Sequence, residues 1–315
     1  MTRPAPSRPP PSRDGVGASC VALPAGPWPT IADFLVARFP AVSRSDWLDR
    51  MAAGLVLDAQ GVPIPPAQPY RSPQRIYYFR AIDDEVPAPF TENVLHQDDH
   101  LLVADKPHFM AVTPGGRHLQ HTLLVRLKRR LGIDTLVPLH RIDRETAGLV
   151  LFSVNPASRG RYAALFRDHV VHKTYEAIAP LPGGLVLPLQ RASRIEGDAD
   201  FFRQREVPGP PNATVAIALL AAGRHRALYR LEPTTGLRHQ LRVQMLGLGL
   251  PLVNDQFYPV PAPAGEDDFA RPLQLLARGL EFTDPLTGAA RAFTSRRSLN
   301  HALLDSADAA LPPAA

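Results

Sequence analysis

Apolar positions recur at helical spacing in two early stretches. In residues 30–40, TIADFLVARFP, the side chains of Ile31, Phe34, Leu35 and Phe39 fall near one face, and Thr30 is placed to cap. In residues 43–56, SRSDWLDRMAAGLV, Ser43 caps, Trp47, Leu48 and Met51 face inward, and Gly54 ends the helix. VLDAQGVPI (56–64) then predicts a short hairpin around Gln60-Gly61, and QRIYYFRAI (74–82) a strand. After the connector DEVPAPFTENV the pattern changes to short strands mixed with a few helices. HLLVADKP (100–107) is a strand ending at Pro107. In residues 119–132, Leu119, Leu123, Leu127 and Leu131 stack at i+4 with Arg and Lys opposite. GLVLFSV (148–154) is a buried strand, SRGRYAALFRDH (158–169) a helix and KTYEAIAP (173–180) a strand. Residues 213–233 read as two strands joined at Ala222-Gly223, RHQLRVQML (238–246) as a helix, and 273–295 as a hairpin around Asp284-Pro285-Leu286-Thr287-Gly288. Strands do not alternate with long helices, so a doubly wound parallel sheet is excluded. The expected fold class is α+β, a mixed, mostly antiparallel central sheet with flanking helices, preceded by a small helical module.

This gives four regions: a disordered Pro/Arg-rich tail over 1–29, a module over 30–85, a main domain over 86–304 and a loose C-terminal tail over 305–315. Composition narrows the function. The single cysteine, Cys20, excludes an internal disulfide framework and a cysteine-based zinc cage. The His96/His100 and His118/His121 pairs lack a third ligand in sequence, so no metal site is expected. The N-terminus lacks the apolar core of a signal peptide and no apolar run is long enough to span a membrane, so a cytoplasmic protein without a membrane partner is expected. The formal charge of +5 suits a polyanionic partner. Only Lys106, Lys128 and Lys173 are lysines, among 35 basic residues. In a chain biased to Arg, Ala and Pro, those three positions stand out.

The stretch most suggestive of chemistry is HRIDRETAGLVL (140–151). His140, Arg141 and Asp143 precede a glycine and a buried strand. A carboxylate flanked by Arg141 and Arg144 is favoured in its ionised form, which suits a nucleophile or base. By spacing alone the solvated salt-bridge loop is the favoured reading of the same cluster, since charge clusters usually mean a solvated face.

Resemblance decides between these. HRIDRETAGLVLF closely resembles the HRLDRxTSGLLL motif of the RluA family of pseudouridine synthases. Four further blocks follow in the family's order. They are LLVADKPHFMAVTPGG with Lys106-Pro107, Lys173-Thr174-Tyr175-Glu176-Ala177, PTTGLRHQLRVQMLGLGLPLVNDQFY, and RPLQLLARGLEFTDPLTG. Together they cover roughly residues 95–295. The sequence departs from the family pattern at Asp105, His108, Phe109, Ala147, Leu237, Gln244 and Asn254. The resemblance implies the pseudouridine synthase fold and isomerisation of uridine in structured RNA, ribosomal or transfer, by a monomer that needs no cofactor and does not act on DNA. It implies that Asp143 is the nucleophile or base and that Arg242 pairs with it. Tyr175 would stack on the uracil and Leu241 would wall the base pocket. Arg141 would enter the space vacated by a flipped base or grip the adjacent phosphate. His140 would stack or act structurally, and Lys106 and Lys173 would contact phosphate or order the cleft. The basic stripe Arg126, Lys128, Arg129 and Arg130 would reach RNA backbone or remain a solvated face.

Residues 30–82 also resemble, loosely, the alpha-L RNA-binding module of the ribosomal-protein type, with Arg44, Arg50, Arg71 and Arg75 as its basic side chains; a lid that only packs on the main domain is the alternative. Two rivals to the synthase reading stand. One is a non-catalytic RNA-binding protein with the same fold. The other is a glycosidic-bond hydrolase pairing Asp143 with Glu145, since such enzymes use two carboxylates.

Overall fold

The computed structural model describes residues 12–80, 85–87, 89–200, 202–263, 265 and 267–306. They divide into two compact units. The first takes in the chain through Val86 together with Pro114–Gln120 and Val125–Asp134. The second takes in Pro87–Thr113, His121–Leu124 and the remainder from Thr135.

In the first unit, strand β1 (Ser19–Leu23) leads to helices α1 (Ile31–Arg38) and α2 (Arg44–Ala52), then strands β2 (Val56–Leu57) and β3 (Gln74–Tyr78). Both helices start with reciprocal capping boxes, Thr30 with Asp33 and Ser43 with Asp46, which satisfy amides that have no partner inside the helix. The sheet runs β1-β3-β2 and is antiparallel throughout. Leu23, Ile31, Phe34, Leu35, Trp47, Met51 and Ile76 form its buried core. β1 corrects the expectation of a disordered tail over residues 1–29. Residues 1–11 lie outside the described residues, but Ser19–Leu23 pairs along β3 and Leu23 is buried. One five-residue strand among prolines is too short a pattern to stand out in sequence. It forms because β3 offers it an edge. The loose C-terminal tail expected over 305–315 is contradicted at its first residue. Asp305 accepts a hydrogen bond from the Arg224 amide at 2.9 Å, and residues 307–315 lie outside the described residues.

The second unit is built on a large sheet. Its strands are β4 (Asn93–Gln97), β5 (Leu101–Lys106), β6 (Val137–Pro138), β7 (Ala147–Ser153), β8 (His172–Pro180), β9 (Leu189–Gly197), β10 (Gln204–Val207), β11 (Ala213–Ala222), β12 (Arg226–Pro233), β13 (Leu275–Thr283) and β14 (Ala290–Thr294). The order is β10-β9-β11-β12-β8-β13-β7-β5-β4, with β14 on β13 and β6 on β7. The pairing of β13 with β7 is parallel and the other described pairings are antiparallel. The α+β reading therefore stands. Strands β4, β6, β9 and β10 were not read in the sequence, because β9 and β10 (LQRASRIEG and QREV) are charged strands without clean alternation.

Helix α3 (Leu123–Leu131) is shorter than its leucine spacing predicts. The amides of Leu123 and Leu124 donate instead to the carbonyls of Ala111 and Val112, so the first turn is anchored outside the helix. Helix α4 (Arg159–Arg167) buries Tyr162. Helix α5 (Gln240–Gly247) buries every residue from Gln240 to Met245, polar ones included. Those polar side chains must find partners inside the protein, and they do. Gln240 donates to the Thr214 carbonyl and accepts from Thr235 and the Leu237 amide, while Gln244 donates to Ser193 and the Ala213 carbonyl.

The close parallel pairing of β7 with β13 fixes the loop that precedes β7. Ala147 and Gly148 lie opposite Leu276 and Ala277. Gly148 has φ +113°, and a Cβ there would sit 2.7 Å from the Ala277 nitrogen and closer still to its carbonyl oxygen. Only glycine permits that approach. Gly148→Ala is accordingly expected to destabilise the protein by about 3 kcal/mol, from backbone overlap and an unfavourable φ together. Urea denaturation checks it, and an unchanged midpoint would contradict the close pairing.

Candidate active site

The loop before β7, the start of β8, the loop before α5 and the start of α5 line a cleft of about 770 Å³. The segment between β6 and β7 forms part of its wall. His140 anchors one end of that segment: its Nε2 accepts from the Leu151 amide at 3.1 Å, and its ring stacks on Phe166 with centroids 4.6 Å apart. Burial, reinforced by Lys173, pushes its pKa down to about 3, so the ring is neutral. Lys106 anchors the other end. It is fully buried at the end of β5, and its Nζ donates to the carbonyls of Pro107 (2.9 Å) and Arg144 (3.0 Å). Burial pushes the Lys106 pKa down to about 7 against the opposing pull of Glu145 and Asp143. Lys106 does not line the cleft, so the phosphate contact considered for it from sequence is excluded and the ordering role remains.

Asp143 lies between these anchors, in the cleft wall, with its side chain 23% exposed. Arg242, from the first turns of α5, approaches its Oδ2 with Nη1 at 3.4 Å. The closer partner of Arg242 is Asp255. Nε donates to Oδ2 at 2.7 Å and Nη2 to Oδ1 at 2.5 Å, and both side chains are 1% exposed. Asp255 Oδ1 also accepts from the amides of Phe257 and Tyr258. The guanidinium lies against the rings of those two residues, 4.9 and 5.4 Å from their centroids. Glu145 Oε2 is 3.7 Å from the same Nη1. Burial alone would lower the Arg242 pKa, but the hydrogen bonds and charge of Asp255, with Asp143 and Glu145, hold it above the ordinary arginine value.

The other sequence candidates distribute as follows. Tyr175, on β8, lines the cleft, and burial together with the Asp143 charge pushes its phenol well above the usual range. Leu241 lines the cleft with its exposed edge and otherwise packs into the sheet core. Lys173 lines the cleft too, but its Nζ is committed to the Thr235 carbonyl at 2.6 Å, tying β8 to the loop before α5. Arg141 stands exposed at the rim. Glu145 is 6% exposed, pairs with Arg144 at 3.2 Å and does not line the cleft, so the two-carboxylate arrangement of a hydrolase is not present there. His96 is engaged by Asp98 and His100 by Ser158. Among the described residues no three His, Cys, Asp or Glu side chains are grouped to hold a metal ion.

A family model described as RNA pseudouridylate synthase matches residues 100–246. The dual-specificity RNA pseudouridine synthase RluA of Pasteurella multocida is 30% identical over 203 residues, spanning 62% of this chain and 88% of that protein. The chain belongs to the RluA-type family of RNA pseudouridine synthases. An RNA pseudouridine synthase of Synechocystis sp., described as uncharacterized, is 29% identical over 232 residues, covering 72% of this chain and 78% of its own. The solved structure of human RNA pseudouridylate synthase domain containing 4 superposes with a TM-score of 0.51 at 25% identity, over 67% of this chain and 90% of that one. The human domain containing 1 superposes at 0.54 and 21% identity over 66% and 84%, a likeness of fold.

The synthase is thus an isomerase acting on RNA. Its site holds residues that the sequence reading passed over. Asp255 sits in LVNDQFY, a stretch matched only for its family pattern, and nothing in the spacing of 13 residues from Arg242 announces a bidentate pair. His239 and Tyr258 belong to the same block, and they reach each other at 2.9 Å.

Asp255→Ala in this synthase leaves a buried guanidinium without its main counter-charge. It is expected to cost about 3–5 kcal/mol of stability, the range for breaking a buried ion pair from one side. Chemical denaturation checks it; a loss under ~1 kcal/mol would show that Arg242 does not depend on Asp255.

Proposed function

We propose that the enzyme isomerises uridines of structured ribosomal or transfer RNA after the target base is flipped out of its stack, with Asp143 as the nucleophile or base. In the isomerisation the bond from N1 to C1′ breaks, the uracil rotates, and C5 bonds to C1′. C5 loses its proton while N1 gains one, so the composition is unchanged. The observation that carries this reading is the setting of Asp143: a partly exposed carboxylate in the wall of a cleft large enough for a nucleoside, with a buried guanidinium 3.4 Å behind it. Tyr175 supplies an aromatic surface beside it, and its phenol stays protonated. Because a paired uridine is inaccessible to a carboxylate, flipping is required, and Arg141 at the rim is the side chain to fill the vacated space or hold the neighbouring phosphate. That the substrate is RNA is supported by the RNA pseudouridine synthase description that the Pasteurella relative carries.

The first unit contributes affinity rather than chemistry in this reading. Of its four candidate arginines, Arg44 is paired with Asp33 at 2.6 Å and Arg50 lies over the Trp47 ring. Arg71 and Arg75 are exposed and are the better RNA contacts. Deleting the unit is a poor test, because Leu119 and Val125 form a buried cluster with Val16.

Asp143→Asn keeps size and hydrogen bonding but removes the charge. It is expected to abolish tritium release from 5-tritiated uridine in RNA while filter binding stays near wild type; wild-type release would refute Asp143 as the reacting group. The double variant Arg71→Glu/Arg75→Glu is expected to raise KM for RNA with little change in kcat. Its binding should also show a shallower dependence on salt, since fewer phosphate contacts release fewer counterions. Equal salt slopes would remove these arginines from the interface.

A further inference from the structure

The mechanism above leaves one buried titratable group beside Asp143 without a role. His239 precedes α5 with φ +54° and ψ 15°, a left-handed conformation uncommon for a residue other than glycine, and is only 6% exposed. Its Nε2 points toward Asp143 Oδ1 at 4.0 Å, the oxygen that Arg242 does not approach. Its Nδ1 lies 2.9 Å from the Tyr258 hydroxyl. That hydroxyl oxygen already accepts from the Gln204 amide at 2.8 Å. Its proton remains to be donated, and His239 Nδ1 is the acceptor in reach. Nδ1 therefore carries the lone pair, and the hydrogen of the neutral ring sits on Nε2, facing Asp143. The ring also stacks on Phe257, with centroids 5.7 Å apart and an interplanar angle of 23°.

We infer that His239 is a positioning residue for the isomerisation, held by Tyr258 as the Nε2–H tautomer so that it and Arg242 present one donor to each oxygen of Asp143. Resting on Asp143 as the reacting group, this adds the element that fixes the plane of its carboxylate. At 4.0 Å the contact is longer than a hydrogen bond, and catalytic contacts of this kind tighten when substrate fills the site. Burial, with the nearby charges of Arg242 and Arg238, pushes the imidazole down to about 3, so the ring remains a neutral donor throughout the working range of pH. A neutral N–H orients the carboxylate without forming a second full ion pair that would blunt its reactivity.

The test joins spectroscopy to kinetics. In protein labelled with 15N-histidine, His239 is expected to show a pyridine-like Nδ1 and a pyrrole-like Nε2. The reverse pattern, or a rapidly averaging ring, would overturn the assignment whatever the activity. Tyr258→Phe keeps the ring under Arg242 but removes the proton that sets the tautomer. It is expected to lose that signature and to lower kcat on the order of tenfold with KM for RNA unchanged. His239→Asn, which tolerates the left-handed backbone but is too short to face Asp143, is expected to lose at least as much in kcat. His239→Gln, which reaches the Nε2 position with an amide donor, is expected to recover part of it. Thermal melts confirm that each variant is folded. Wild-type kcat in folded His239→Asn would refute the positioning role while Asp143→Asn remained inactive. Full activity in Asp143→Asn would instead remove the reading on which the inference rests.

Discussion

A guanidinium with 1% of its surface exposed is the constraint around which this site is organised. An arginine cannot shed its charge by deprotonating, so burying it obliges the fold to bring carboxylates to it. Helix α5 supplies Arg242, the loop before β13 supplies Asp255, and the loop before β7 supplies Asp143 and Glu145. The division among them is unequal. Asp255 takes two nitrogens in a short bidentate pair and is saturated by two further amides. Asp143 receives one nitrogen at a longer distance. The tight pair provides the anchoring, and the loose one leaves Asp143 oriented and partly exposed to the cleft. Had Asp143 taken the bidentate position, its oxygens would be occupied and turned from the cleft.

The loop that carries Asp143 is itself held firmly at both ends. Its ends are fixed by groups that titrate far from their usual values because they are buried: His140 neutral under Phe166, and Lys106 with its ammonium turned onto two carbonyls. Gly148 lets β7 meet β13 at backbone contact, which sets the height of the loop over the sheet. Lys173 performs a comparable task across the cleft by tying the Thr235 carbonyl. Two of the chain's three lysines are therefore spent on backbone carbonyls. A compact ammonium on a flexible stem fits between closely spaced carbonyls, where a planar guanidinium would not.

The small first unit shows how a basic count overstates a binding surface. Arg44 closes a pair with the capping Asp33 of α1, and Arg50 covers Trp47. Each contact stabilises the module as readily as it would hold a phosphate. Arg129 of α3 likewise donates to the Asp14 carbonyl at 2.7 Å. Surface charge in this chain is divided between internal tethering and electrostatic attraction, and only the arrangement in space says which side chain does which.

Much was fixed locally and could be read from the chain. The helices α1 and α2 follow from the Thr30 and Ser43 caps and their apolar spacing, because capping and periodicity act within one or two turns. The strands β5, β7, β8, β11 and β12 follow from apolar runs bounded by turn residues, and HRIDRETAG with TGLRHQLR pointed to Asp143 and Arg242, which the fold brings within 3.4 Å of each other. What the sequence left undetermined depends on residues far apart in the chain. The strand Ser19–Leu23 exists through its pairing with β3, and β9 and β10 exist because the sheet gives charged segments an edge to join. Asp255, 112 residues from Asp143, enters the site only when α5 and the following loop fold onto the end of β7. The tautomer of His239 depends on Tyr258 and Gln204 meeting at one oxygen. Periodicity and caps are short-range properties, whereas the neutralisation of a buried charge and the pairing of donors with acceptors are settled by which segments the sheet brings together.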